Sequence, residues 1–190
     1  MTDVLLIWDV PILFEKLFAE NDLKCQRILS HALGTPFLPP CKCIIIPTGF
    51  ANPEYTKILP GIERNSKAFE KFVENGGIVV GFGPMVPEYH YDWIPMKLVY
   101  IQEHGLTHVQ KCDEHDAQSI IQYAGIPIEC DGYFAETDAN ADVLLNNSEG
   151  KPIMVAKDHG AGMFIATTIH EFPSAEFLSW VMKRAKISRI

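Results

Sequence analysis

Phe72-Val73-Glu74-Asn75-Gly76-Gly77-Ile78-Val79-Val80-Gly81-Phe82-Gly83 is the stretch that decides the fold. Just upstream, Ala68, Phe69, Phe72 and Val73 recur at the spacing of one helical face, while Lys71 and Glu74 fall on the other. Gly76-Gly77 ends that helix, because glycine takes the left-handed conformation of a C-terminal stop at no steric cost. Ile78-Val79-Val80 follows at once. An unbroken run of β-branched residues reads as a strand buried on both faces, as in parallel sheets. Helix, two-glycine turn and buried strand together make half of a βαβ unit.

The same alternation continues outward. Toward the N-terminus, Cys43 to Ile46 is another buried strand, ending in the loop Pro47-Thr48-Gly49-Phe50 and preceded by the Gly/Pro-rich stretch Gly34 to Pro40. Val4 to Trp8 is a third, and Lys24 to Leu29 a more exposed fourth. Between them, Asp9 is expected to cap a helix with Pro11 in its first turn and Ile12, Leu13 and Leu17 as its apolar stripe. Toward the C-terminus, Met85 to about Gly132 is aromatic and irregular, with strands expected at Leu98 to Ile101 and Thr107 to Gln110. A short helix is expected near Ala117 to Tyr123, capped by Asp113. Val143 to Leu145 and Ile153 to Ala156 form a hairpin around Ser148-Glu149-Gly150. The turn Asp158 to Gly162 leads into Met163 to Thr168, and Ser174 caps a last helix carrying Phe177, Leu178, Val181 and Ala185 inward. No repeat of solenoid length is present, and residues 1–190 read as one domain.

Composition narrows the function classes. A 190-residue chain with 47% hydrophobic residues can bury a core without covalent staples. No apolar run reaches the roughly 20 residues of a membrane span, and the N-terminus enters a strand without the basic segment of a signal peptide. The formal charge of −8 argues against nucleic acid, which requires clustered Lys and Arg. The five cysteines, Cys25, Cys41, Cys43, Cys112 and Cys130, are odd in number and include no CxxC pair. They are expected to be reduced thiols in a cytoplasmic protein, with no metal site and no cofactor.

Three stretches resemble the class I glutamine amidotransferase-like superfamily. Ile44-Ile45-Ile46-Pro47-Thr48-Gly49 is similar to that family's hydrophobic strand and Pro-Gly-Gly loop. Phe72 to Gly83 resembles its helix, Gly-Gly turn and strand leading to the nucleophile elbow. Gly150-Lys151-Pro152-Ile153 through Gly160-Ala161-Gly162 to His170 is similar to the hairpin that delivers its histidine. The likeness is greatest to divergent branches, the trehalose-utilisation-like proteins and the amidotransferase-like domain of some β-galactosidases. It implies a three-layer α/β/α, flavodoxin-like, mostly parallel sheet with a C-terminal β-hairpin. It also puts Gly83 where active members carry a nucleophilic cysteine, whose thiolate a helix N-terminus stabilises. His170 matches the family's histidine, but Glu171 follows it directly instead of after one intervening residue. Adjacent residues at a strand end point in different directions. Ordinary glutaminase activity is not expected, since a triad acts as a unit and its bond-forming member is missing.

The crevice beyond the carboxyl ends of the parallel strands is the expected ligand site. Its candidate residues are Gly49, Gly81, Phe82, Gly83, His90, Tyr91 and Trp93 for binding, with His170 and Glu171 for any chemistry. The aromatic run Tyr89-His90-Tyr91-Asp92-Trp93 reads in two ways, as a stacking surface for sugar rings or as packing over the core. His104, His108, Cys112 and His115 receive no role. Three functions follow: a cysteine-less domain binding a small polar or carbohydrate-like ligand, or serving as a regulatory or structural subunit; a hydrolase or isomerase with His170 or a carboxylate as general base; and an oligomerisation module. A homodimer is the default assembly.

Overall fold

The computed structural model of the chain describes residues 2–112, 114–122 and 125–190. The strands are β1 (Val4–Ile7), β2 (Cys25–Ile28), β3 (Cys43–Ile46), β4 (Ile78–Gly81), β5 (Glu88–His90), β6 (Leu98–Thr107), β7 (Gln110–Lys111), β8 (Ile128–Thr137), β9 (Asp142–Asn146), β10 (Pro152–His159) and β11 (Gly162–Thr167). The helices are α1 (Leu13–Glu20), α2 (Leu59–Arg64), α3 (Ser66–Glu74) and α4 (Ala175–Arg184). Eight strands form the central sheet in the order β2-β1-β3-β4-β11-β10-β9-β7. The first five run parallel, and β10, β9 and β7 continue the sheet antiparallel. This is the expected mixed α/β architecture with its closing hairpin.

Strand alternation divides the core in two. Val4, Leu6, Cys43, Ile45, Ile78 and Val80 face α1 and α4, where Phe14, Phe18, Phe177, Leu178 and Val181 are buried. Leu5, Ile7, Ile44, Ile46 and Val79 face the opposite side, against Phe69, Phe72 and Val73 of α3. That second side also receives a three-stranded antiparallel sheet, β5-β6-β8, through Tyr100 and Phe134. Each fully buried Leu, Ile or Phe in these layers contributes about 1.5–3 kcal/mol of transfer free energy. Gly76, at φ +107, provides the left-handed stop after α3 that lets β4 start directly.

The structure departs from the sequence expectations in several places. Asp9 does not cap α1, which begins at Leu13. Instead the Glu15 carboxylate accepts the Ile12 N–H at 3.2 Å, and Asp9 ties loops together by accepting from the Ser30 and Lys57 N–H groups and the Thr56 hydroxyl. The strand expected to end at Ile101 runs on to Thr107, and β7 begins only at Gln110. β8 and α2 had no counterpart in the expected pattern. The helix expected from Ala117 is a 3₁₀ turn over Asp116–Ile120. Its end at Tyr123 and its expected cap Asp113 lie outside the described residues, and the ring of His115 accepts the Ala117 N–H at 3.0 Å.

Candidate functional site

The loops leaving β1, β3, β4 and β11 meet at one edge of the central sheet around an open cleft of about 640 Å³. Trp8 comes from the end of β1, Pro47 and Thr48 from β3, Phe82 and Met85 from β4, and His170, Glu171 and Phe172 from β11. Ile12, Leu13 and Phe14 at the start of α1 close one wall, and Glu54 and Tyr55 another. Phe14 meets Phe82 and Phe172 edge-on, with ring centroids 5.4 and 4.9 Å apart. The lining is thus mostly apolar, with polar side chains at Thr48, Glu54, Tyr55, His170 and Glu171.

At the polar end His170 Nδ1 lies 2.7 Å from Oδ1 of Asp131 on β8. The backbone fixes this pair. Cys130 bridges to Ile169, Asp131 N–H donates to Thr168 O at 2.7 Å, and His170 N–H donates to Glu129 O at 2.9 Å. The small sheet is thereby stitched to the exit of β11. The Asp131 side chain is 0% exposed, whereas that of His170 is 43% exposed. Burial pushes the Asp131 carboxyl above the ordinary carboxylate range, and the hydrogen bond and charge of His170 counteract it most. Smaller opposing effects come from the charge of His104 and the Thr48 hydroxyl. The His104 ring stands edge-on to that of His170, with centroids 6.3 Å apart. Where Asp131 is ionised it accepts from Nδ1–H, an arrangement in which the ring's other nitrogen, Nε2, carries the lone pair.

Gly83 lies directly behind this pair. A β carbon at Gly83 would stand 2.7 Å from Asp131 Oδ2 and 3.1 Å from Asp131 Cβ. Oδ2 is buried and has no hydrogen-bond partner among the described residues. Gly83 O accepts the Gly49 N–H at 2.7 Å, which couples the loops after β3 and β4.

With this geometry in place, the known proteins of similar structure can be set beside it. A cytoplasmic protein from Salmonella typhimurium superposes with a TM-score of 0.57 at 14% identity, over 99% of this chain and 100% of its own. A ThuA-like protein from Bacteroides uniformis does so with a TM-score of 0.53 at 14% identity, over 95% of this chain and 89% of its own. A β-galactosidase from Bacillus circulans sp. alkalophilus matches 96% of this chain at a TM-score of 0.54 and 12% identity, over 30% of its own length. The chain thus shares its fold with these proteins, the ThuA-like protein among them. The chain spans about a third of the length of such glycosidases. No protein-family model and no curated protein matches the sequence.

Within this fold, the sequence-derived candidates separate into groups. Phe82, His170 and Glu171 are brought together in the cleft. Gly49 and Gly83 form the linked loops behind it, and Gly81 is the last residue of β4, paired with Ile46 and Ala166. His90 stands apart on β5, 2.9 Å from Glu88. Tyr91 and Trp93 are only 2% and 3% exposed and pack with Phe50, Phe69 and Phe134. Packing against the core is therefore the reading of this aromatic run that the structure realises. The carboxylate that holds His170 is Asp131, not Glu171. Asp131 was absent from the sequence candidates. Its sequence signal is weak: it is the second of two acids, after Glu129, in the stretch Ile128 to Phe134, and it precedes Gly132. Cys130, its neighbour, faces the alternate side of the strand, and burial pushes that thiol up to about 12.

Among the described residues no helix is long and apolar enough to cross a membrane, and no group of three or more His, Cys, Asp or Glu is arranged to hold a metal ion.

Proposed function

We propose that this is an amidotransferase-like domain without a nucleophile, which holds a small carbohydrate-like ligand in the strand-end cleft. The observation that carries the reading is the contact between Gly83 and Asp131. The position matched to the nucleophile has no side chain, and the room a thiol would need is taken by a carboxylate oxygen. The cleft has the character a sugar ring requires, with exposed apolar faces at Leu13, Tyr55 and Phe172 and polar groups at one end. The structural likeness to a β-galactosidase and to an exo-β-1,4-mannosidase from an Opitutaceae bacterium, at a TM-score of 0.52 and 19% identity for the latter, is in keeping with it. A cytoplasmic location and assembly as a homodimer belong to the same proposal. The thiols of Cys25, Cys41, Cys43 and Cys130 and the Salmonella neighbour named as a cytoplasmic protein favour the first. The exposed apolar residues Val10, Leu13, Tyr55 and Phe172 around the cleft favour the second.

Isothermal titration with methyl β-D-galactoside and methyl β-D-mannoside tests the ligand class. Saturable heat is expected for at least one of them, weakened by Tyr55→Ala and by His170→Ala. Absence of heat from both sugars at about 50 mM, near the weak limit of useful affinity, removes the carbohydrate reading. Ammonia release from L-glutamine above the uncatalysed rate removes the reading of a lost nucleophile.

A further inference from the structure

We propose that Asp131 and His170 form a general-base dyad that hydrolyses a carboxylic ester borne by the ligand, with water as the attacking group. The inference rests on the preceding reading that the cleft holds a ligand.

The geometry supplies the parts such a base needs. His170 lines the cleft while its Nδ1 is tied to Asp131 Oδ1 at 2.7 Å. That bond fixes both ring orientation and tautomer and leaves Nε2 as the proton acceptor. Asp131 is wholly buried, so its charge is little screened and stabilises an imidazolium as it forms. Tyr100 donates its hydroxyl to Asp131 O at 2.9 Å and holds the strand behind the carboxylate. His170 thus has the role of catalytic base, and Asp131 acts through it as a positioning residue.

Gly83 decides the type of catalysis. With no side chain there, the base has no thiol to deprotonate, and its substrate proton comes from water. As the water oxygen bonds to the ester carbonyl carbon, one O–H proton passes to Nε2 and the carbonyl π pair moves onto oxygen. Collapse restores the carbonyl and breaks the bond to the alkoxy oxygen, which takes the proton back from Nε2. One water and one ester give one carboxylic acid and one alcohol, and the dyad returns to its starting state. An ester suits this site because a single imidazole can both accept the water proton and return it to the leaving oxygen. A lactone of a sugar acid combines that carbonyl with the ring the cleft is proposed to hold.

The test follows hydrolysis of D-galactono-1,4-lactone in a pH-stat and of 4-nitrophenyl acetate by absorbance. The wild-type protein should turn over at least one of them with saturation. His170→Ala should lose about 10²–10⁴-fold in kcat/KM. Asp131→Asn should lower kcat with little change in KM and move the rising limb of the pH–rate profile to lower pH, since the imidazolium loses its counter-charge. The charged and titratable groups around that ring are Asp131 from β8, His104 from β6, Glu171 from its own segment and Glu54 across the cleft. A purely structural Asp131 would lower the rate without moving the limb. His170→Gln, similar in volume, serves as the second variant if the alanine form does not fold. The proposal is overturned if either His170 variant keeps the wild-type rate, or if Asp131→Asn leaves the profile in place. It is also overturned if an acyl adduct, on Thr48 or elsewhere, accumulates by mass spectrometry. Sugar binding with neither ester hydrolysed ends the dyad proposal and leaves the binding reading standing; neither binding nor hydrolysis ends both.

Discussion

Gly83 has no β carbon, and one can be added experimentally. Gly83→Ala would place a carbon 2.7 Å from Asp131 Oδ2, and overpacking of this kind costs about 1–3 kcal/mol. Urea denaturation should show that loss. In a double-mutant cycle, Asp131→Gly should relieve it, because the two residues compete for one space and their effects are not additive. Additive losses would mean the contact is easily relaxed. A second residue-scale expectation concerns Asp9. Burial raises its carboxyl, but the Ser30 and Lys57 N–H groups and the Thr56 hydroxyl outweigh that and hold its pKa at about 2, below the ordinary 3.8. A depressed folded-state value stabilises the protein above about pH 4 and ceases to do so as pH falls toward 2. Asp9→Asn should therefore cost on the order of 1 kcal/mol at pH 7, after allowance for solvent screening. It should also flatten the acid limb of the stability profile. An unchanged acid limb would place the pH dependence elsewhere.

Elements differ in how openly the sequence announces them. β1, β3 and β4 are buried on both faces, so each is a continuous apolar run that can hardly be read otherwise. α4 is equally plain, since Ser174 accepts the Phe177 N–H at 3.0 Å and its apolar stripe is regular. β6 and β8 are different. Their pairing slips register between Val99 and Tyr100 and again between Gln102 and Gly105, so no simple alternation runs through either strand. The aromatic run from Tyr89 to Trp93 was ambiguous for another reason: a stacking surface and a core plug call for the same residues. Its placement under α3 gives a measurable outcome. Trp93→Ala should cost about 3–5 kcal/mol in stability, as removal of a buried aromatic does. Its sedimentation should match that of the wild type wherever it is folded. A shift in assembly with unchanged stability would put Trp93 at a surface instead.

For the whole molecule, the strand order brings four loop ends to one sheet edge and gathers apolar residues around them. Leu13, 66% exposed, projects from this rim. If the proposed homodimer forms there, Leu13→Glu should convert it to monomer in sedimentation equilibrium without lowering thermal stability, because the residue is not part of the monomer core. A monomeric wild type at about 100 μM, well above the Kd of stable dimers, would dismiss the dimer.

What the sequence determined by itself was the layered α/β fold, its closing hairpin and the bare backbone at Gly83. These are properties of periodicity and of single residue types, and both are local. The pairing of Asp131 with His170 was decided only by tertiary structure. The two residues are 39 positions apart, one on β8 and the other in the segment after β11, and meet because Cys130 and Ile169 bridge those two segments. Nothing in the spacing of an acid and a histidine along a chain encodes such a meeting. It depends on where β8 docks, and that is fixed by packing of the whole core.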